Sequence, residues 1–303
     1  FETNIGKIEP IKSKHWANYV LGVIDELQIR GNKIEGFSFD IDGNLPIGAG
    51  LASSAAFEVA TAVALAKMFD IKLSTLELAK ICQAAEHNFV GVKCGLLDQI
   101  SSLFSKKGCC TFIDFRTMQI KNIPIPKEYG FVIVNSLKKH ALVRGEYNER
   151  RASCESAAKK LSVKALRDVD FDTLEKNKGI LSEIELKRAM HIVGENGRVL
   201  KAIELIGKNQ FEKIGELMLE SHESSRKYFE NSCEELDFLV RKAVSIDGCI
   251  GSRLSGGGFG GATINLVKNE SIRNFSKRIE KEFRKQFGLK PQIISFEPSD
   301  GAK

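Results

Sequence analysis

The sequence predicts an α+β protein of two lobes. Two observations carry that expectation: strands and helices occur at both ends of the chain, and residues 165–245 between them read as almost wholly helical. The 303 residues are enough for one large or two medium domains with a real core, and we place the division at 1–140 and 141–303. Hydrophobic and charged contents of 43% and 28% are those of a soluble globular protein. The net charge of +6 is spread among interspersed Lys and Glu, with no basic stripe carrying aromatics, which argues against a nucleic-acid partner. No run of 18 apolar residues predicts a membrane span, and no secretory leader is recognised. The first residue is Phe1 rather than Met, so the chain reads as a fragment or a processed product. Seven scattered cysteines without a C-x-x-C pair read as reduced core residues of a cytoplasmic protein, not as a zinc site.

Taken in order, apolar positions from Trp16 to Leu27 follow a helical period over Lys14–Leu27, and Gly31 marks the end. The alternating stretch Gly36–Ile41 predicts a strand that leads into LPIGAGLASSAAFEVA, residues 45–60. Strand, glycine loop and helix start form a layout suited to an anion: glycine permits a close approach, and the helix beginning near Ser53 offers unpaired N–H groups. Ser53 and Ser54 are candidates for reaching a phosphate or its metal, and equally for an ordinary N-cap. The P-loop pattern is excluded because no lysine follows Gly50.

A helix over Ser74–Phe89 opens with a capping box, Ser74 and Glu77. Glu86 near its C-terminus opposes the dipole and is out of place without a partner, although a solvated charge is the plain alternative. Asp98 falls in the first turns of a short helix over Leu96–Phe104; it is a helix-start acid on sequence alone and a base if its pocket is dry. Strands are predicted at Cys109–Phe115 and Phe131–Ser136, and a charged helix from Glu146 to Lys160, in which Tyr147 is a rim aromatic or a substrate contact. Helical segments follow near 182–207, 209–221 and 233–245. In SGGGFGGATINLV, Gly256, Gly258 and Gly261 satisfy G-x-G-x-x-G formally, but Ala262–Val267 reads as a strand, so a Rossmann fingerprint fails on context. A glycine turn between two strands can still cover a phosphate. A helix over Glu270–Phe287 and a strand over Gln292–Phe296 complete the pattern.

The blocks GAGLASSAA, AEHNFVGVKCGLLDQ and SGGGFGGA, in that order, resemble the GHMP family of small-molecule kinases. HWANYVLGV, GEYNERRASCE, HIVGENGRVLKAIE, ESHESSRKYFE and FEPSDGA narrow the resemblance to the galactokinase branch, over nearly the whole chain. The resemblance implies a two-lobed GHMP kinase fold with the active site between the lobes. It implies ATP and Mg²⁺ as cofactors, and phosphorylation of the C1 hydroxyl of galactose. Pro46, Gly48, Ala49, Gly50, Leu51, Ala52, Ser53, Ser54 and Ala55 would bind the nucleotide. Ser54 and Glu86 would hold the metal, with Ser53 as the alternative to Ser54. Asp98 would be the catalytic base or a group that only orients the hydroxyl, Gly95 and Tyr147 would contact the sugar beside it, and Gly256, Gly257, Gly258, Gly260 and Gly261 would support the centre.

The family's opening segment, which supplies an arginine and sugar-holding acids, has no counterpart in this sequence, so an N-terminally truncated chain with impaired turnover is expected. N-acetylgalactosamine kinase is one alternative. A non-catalytic galactose and ATP sensor is another, and it is opposed by the normal length of GLASSAA, in which Ala52 stands where galactokinases often have serine. A cytoplasmic monomer without nucleic-acid or membrane partners is expected.

Overall fold

The computed structural model describes residues 1–11, 15–46, 50–138 and 143–303, apart from the side chains of Val143, Arg144 and Tyr147. The chain divides into two compact units. The first comprises Phe1–Ile47, Leu51–Pro124 and Pro298–Lys303; the second comprises Gly48–Gly50 and Ile125–Glu297. The division thus falls after Pro124 rather than at 140, because the strand that follows pairs wholly within the second unit.

The first unit holds α1 (Ala17–Ile29), α2 (Ser53–Met68), α3 (Thr75–Ala85), α4 (Leu97–Phe104) and an antiparallel hairpin, β1 (Cys109–Asp114) with β2 (Gln119–Pro124). The capping box predicted at Ser74 and Glu77 is present. Helices α1, α2 and α3 bury Leu21, Ile24, Leu27, Val59, Leu65, Ile81 and Ala85 in one core. Gly22 permits α1 to lie close against α3: a Cβ there would stand 2.8 Å from Cβ of Phe89 and 3.0 Å from Cβ of Ala85. The C-terminal residues return to this unit, where the Gly301 and Ala302 amides donate to the carbonyls of Ser105 and Ser102.

The expected helix to Phe89 is regular only to Ala85. Glu86–Val90 forms one π-helical turn that ends at Gly91, with φ of 79°. Such turns add one residue to the helical cycle and often occur at functional positions. The strand expected at Gly36–Ile41 is not formed; those residues pair with no other strand among the described residues. Phe37 and Phe39 still turn toward the core, so the alternation was real, but alternation without a ladder partner does not make a strand. Strand β2 was not anticipated, since QIKNIP carries too few apolar residues to stand out. The cysteines are all free, but only Cys82 is fully buried; the other six are half-buried, which corrects their reading as core residues.

The second unit is built on a four-stranded antiparallel sheet ordered β4-β5-β3-β6, with β3 (Tyr129–Asn135), β4 (Cys249–Ser255), β5 (Ala262–Lys268) and β6 (Gln292–Phe296). The apolar run FVIV lies on β3, between β5 and β6, where Val132 and Val134 are fully buried. Helices α9 (Glu234–Ala243) and α10 (Ile272–Phe287) pack Leu239, Phe275, Ile279 and Phe283 with those valines. A separate helical core joins α5 (Val143–Lys160), α6 (Phe171–Lys176) and α7 (Glu183–Gly207) through Ala157, Leu166, Leu174 and Ala189. Helix α8 (Ile214–Ser224) continues into a second π-helical turn at Ser225–Phe229.

Candidate active site

The start of α2 differs from an ordinary serine cap. Ala52 occupies the N-cap position with a left-handed φ of 52°, and it makes no side-chain cap. Ser53 and Ser54 therefore lie inside the first turn, where neither closes the helix end. The first-turn N–H groups remain available to an anion, with the dipole behind them. Among the other loop candidates, Pro46, Leu51 and Ala55 are described within the first unit, Ala55 fully buried. Gly48 and Ala49 lie outside the described residues. Gly50 belongs to the second unit.

Four elements of the first unit bring a polar cluster together beside Ser54. The Ser54 hydroxyl donates to Oε1 of Glu86 over 3.4 Å, a long contact. Oε2 of Glu86 accepts from Nε2 of Gln99 at 3.1 Å and from the Cys94 thiol at 3.1 Å. The same Gln99 amide donates to Oε2 of Glu58 at 3.3 Å. Glu58 lies one helical turn after Ser54 on α2, so both face the same side. The loop from Gly91 to Leu96 is anchored by the Cys94 carbonyl, which accepts from Nε2 of Gln83 at 3.2 Å and from Nε2 of His87 at 2.8 Å.

The electrostatics are unusual because the hydrogen-bond partners of these acids are all neutral. Burial, with the charge of Glu86 second, pushes the Glu58 carboxyl up to about 9. The thiols of Cys94 and Cys82 are likewise raised, first by burial and then by the neighbouring carboxylates. Asp98 lies in the first turn of α4 and remains open to solvent, yet partial desolvation and then the Glu86 charge raise it above the ordinary aspartate value. Glu86 is 8% exposed, so it is not the solvated helix charge that its sequence position allowed. Ser54, Glu86 and Asp98 are thus gathered in one region, with Gly95 on the loop between Glu86 and Asp98. Glu58, Gln99 and Cys94 were not singled out from the sequence. A glutamate within the apolar run AAFEVATAVALA was the available signal, since a buried acid without a cation requires an explanation.

In the second unit, the turn between β4 and β5 joins two strands, as its sequence indicates. Gly256, Gly258, Phe259, Gly260 and Gly261 all have positive φ. Asn231 holds this turn: its carbonyl accepts from the Phe259 amide at 2.6 Å, and its side chain donates to the Gly257 carbonyl at 3.1 Å. Gly258 must be glycine, because a Cβ there would lie 2.0 Å from the Asn231 carbonyl oxygen. Tyr147 lies on α5, and its side chain falls outside the described part of the structure.

Residues 18–106 match the GHMP kinases N terminal domain, and residues 202–285 match the GHMP kinases C terminal domain. Fold and sequence together therefore define a GHMP kinase. A galactokinase of Thermosipho africanus is 43% identical over 96% of this chain and 82% of its own length. One from Thermotoga maritima is 41% identical over 98% and 83%. The crystal structure of Lactococcus lactis galactokinase complexed with galactose superposes with a TM-score of 0.91, at 29% identity over 99% of this chain and 79% of that one. The chain belongs to the galactokinase family.

Proposed function

We propose that this protein phosphorylates D-galactose at its C1 hydroxyl, using ATP. The observation that carries this reading is the grouping of Ser54, Glu86 and Asp98 at the uncapped start of α2, because phosphoryl transfer needs charge neutralisation and alignment rather than covalent help. Amides of the first turn of α2 bind phosphate oxygens. Ser54 and Glu86 fit Mg²⁺: they present hard oxygen donors, and the hydrogen-bond partners of Glu86 are uncharged. When bound, Mg²⁺ supplies charge neutralisation at the phosphates.

Asp98 accepts the proton of the C1 hydroxyl as it attacks, and its raised basicity favours that transfer. On the same reading, Gly95 contacts the sugar from the loop that precedes Asp98. A panel of sugars with ATP and Mg²⁺ tests the assignment, with products identified by phosphorus NMR. Galactose 1-phosphate as the main product is expected. Preferential phosphorylation of N-acetylgalactosamine, or transfer to another hydroxyl, would overturn it.

A further inference from the structure

We infer that Glu58 and Gln99 form a positioning pair that fixes the carboxylate of Glu86, so that Oε2 is held by the protein and Oε1 is left toward Ser54. The inference rests on the reading of Ser54 and Glu86 as cation ligands. Gln99 is fully buried, and both hydrogens of its amide are used, one toward Glu58 and one toward Glu86. Its orientation is fixed by chemistry, since both neighbours are carboxyl oxygens and only the NH₂ side can serve them. Oε2 of Glu86 receives Gln99 and the Cys94 thiol together, whereas Oε1 has only the long contact from Ser54. One oxygen is held by two donors and the other meets only the long Ser54 contact, which is the arrangement of a carboxylate set to bind through a single atom. Partners of this kind orient metal ligands throughout metalloproteins.

The role of Glu58 follows from two oxygens that have no partner. Oε1 of Glu58 and Oε1 of Gln99 are both buried without a hydrogen bond. Two acceptors cannot satisfy each other, but a neutral acid and an amide form a reciprocal pair. The Gln99 amide already donates to Oε2 of Glu58, and a proton on Oε1 supplies the donor that two bare acceptors lack. Glu58 is fully buried and meets no cation, which disfavours its charged form. A neutral Glu58 locks Gln99 without repelling Glu86, whereas an apolar residue would leave Gln99 free to turn. Helix α2 thereby supplies Ser54 and, one turn later, the residue that aligns the partner of Ser54.

The test is ATP binding by calorimetry, with Mg²⁺ and with chelator, on the wild type and on Glu86→Gln, Gln99→Leu, Glu58→Leu, Glu58→Gln and Cys94→Ala. The gain in ATP affinity on adding Mg²⁺ should fall about 10- to 100-fold in Gln99→Leu and Glu58→Leu, while metal-free ATP affinity is kept. Glu58→Gln, an amide that can pair with Gln99 reciprocally, should retain the gain to within about threefold. Cys94→Ala removes a donor from a half-buried position and should give a smaller loss, which keeps the test valid if a leucine variant fails to fold. Loss in Glu58→Gln as large as in Glu58→Leu would overturn the inference by showing that the charge matters. So would unchanged gains in all the Glu58, Gln99 and Cys94 variants when Glu86→Gln loses its gain. If Glu86→Gln itself keeps the gain, the ligand reading fails, and the positioning inference fails with it.

Discussion

Glu58→Gln also makes a sharp prediction about stability. In the folded chain the Glu58 carboxyl titrates at about 9, against 4.5 for the ordinary group. Between those values the folded chain holds a proton that the unfolded chain has released. Stability therefore declines as pH rises through this window, by up to about 1.4 kcal/mol per pH unit. Below 4.5 both states are protonated, and above 9 both are ionised, so the slope from this group vanishes outside the window. Glutamine does not titrate, so its variant lacks this slope. Between pH 5 and 8 the variant should gain on the wild type by up to about 4 kcal/mol. Urea unfolding at several pH values measures this, followed by the fluorescence of the sole tryptophan, Trp16, which lies in the first unit. A difference between variant and wild type that stays constant with pH would refute the argument, because Glu58 would then be ionised in both states.

Other perturbations reach separate parts of the account. Gly22→Ala forces a methyl against Phe89 and Ala85, and overpacking of this kind costs about 1–3 kcal/mol; a raised melting temperature would contradict it. Gly258→Ala sets a methyl against the Asn231 carbonyl at a φ of 82°, which should cost about 1–3 kcal/mol; an unchanged melting temperature would contradict it. His191 is held down to about 4, chiefly by burial, so the folded chain resists a proton that the unfolded chain takes up below 6.5. Stability should fall as pH drops from 6.5 toward 4, and His191→Asn should flatten that limb in denaturation curves.

Much of the fold could be read from residue patterns because those patterns are local. The capping box at Ser74 and Glu77, the helices over 53–68 and 183–207, and the strand over 292–296 each rest on signals within a few residues. The failure at Gly36–Ile41 is of another kind: a strand depends on its partner, and six residues of alternation do not specify one. The π-helical turns at Glu86 and Ser225 were hidden because each closes its helix, so no apolar face continues beyond it to show the shift in phase. At the site, Glu86 was visible as an acid at the wrong end of a helix. Gln99 was not, since a glutamine beside an aspartate carries no signal until Glu58 and Glu86 are brought to its amide.

The most direct measurement is galactose-dependent release of ADP from ATP and Mg²⁺, compared between the wild type and Asp98→Asn. The account predicts release by the wild type and its loss in the variant, with ATP binding unchanged, because asparagine cannot accept the hydroxyl proton. Turnover retained by Asp98→Asn would contradict the assignment of Asp98 as the base.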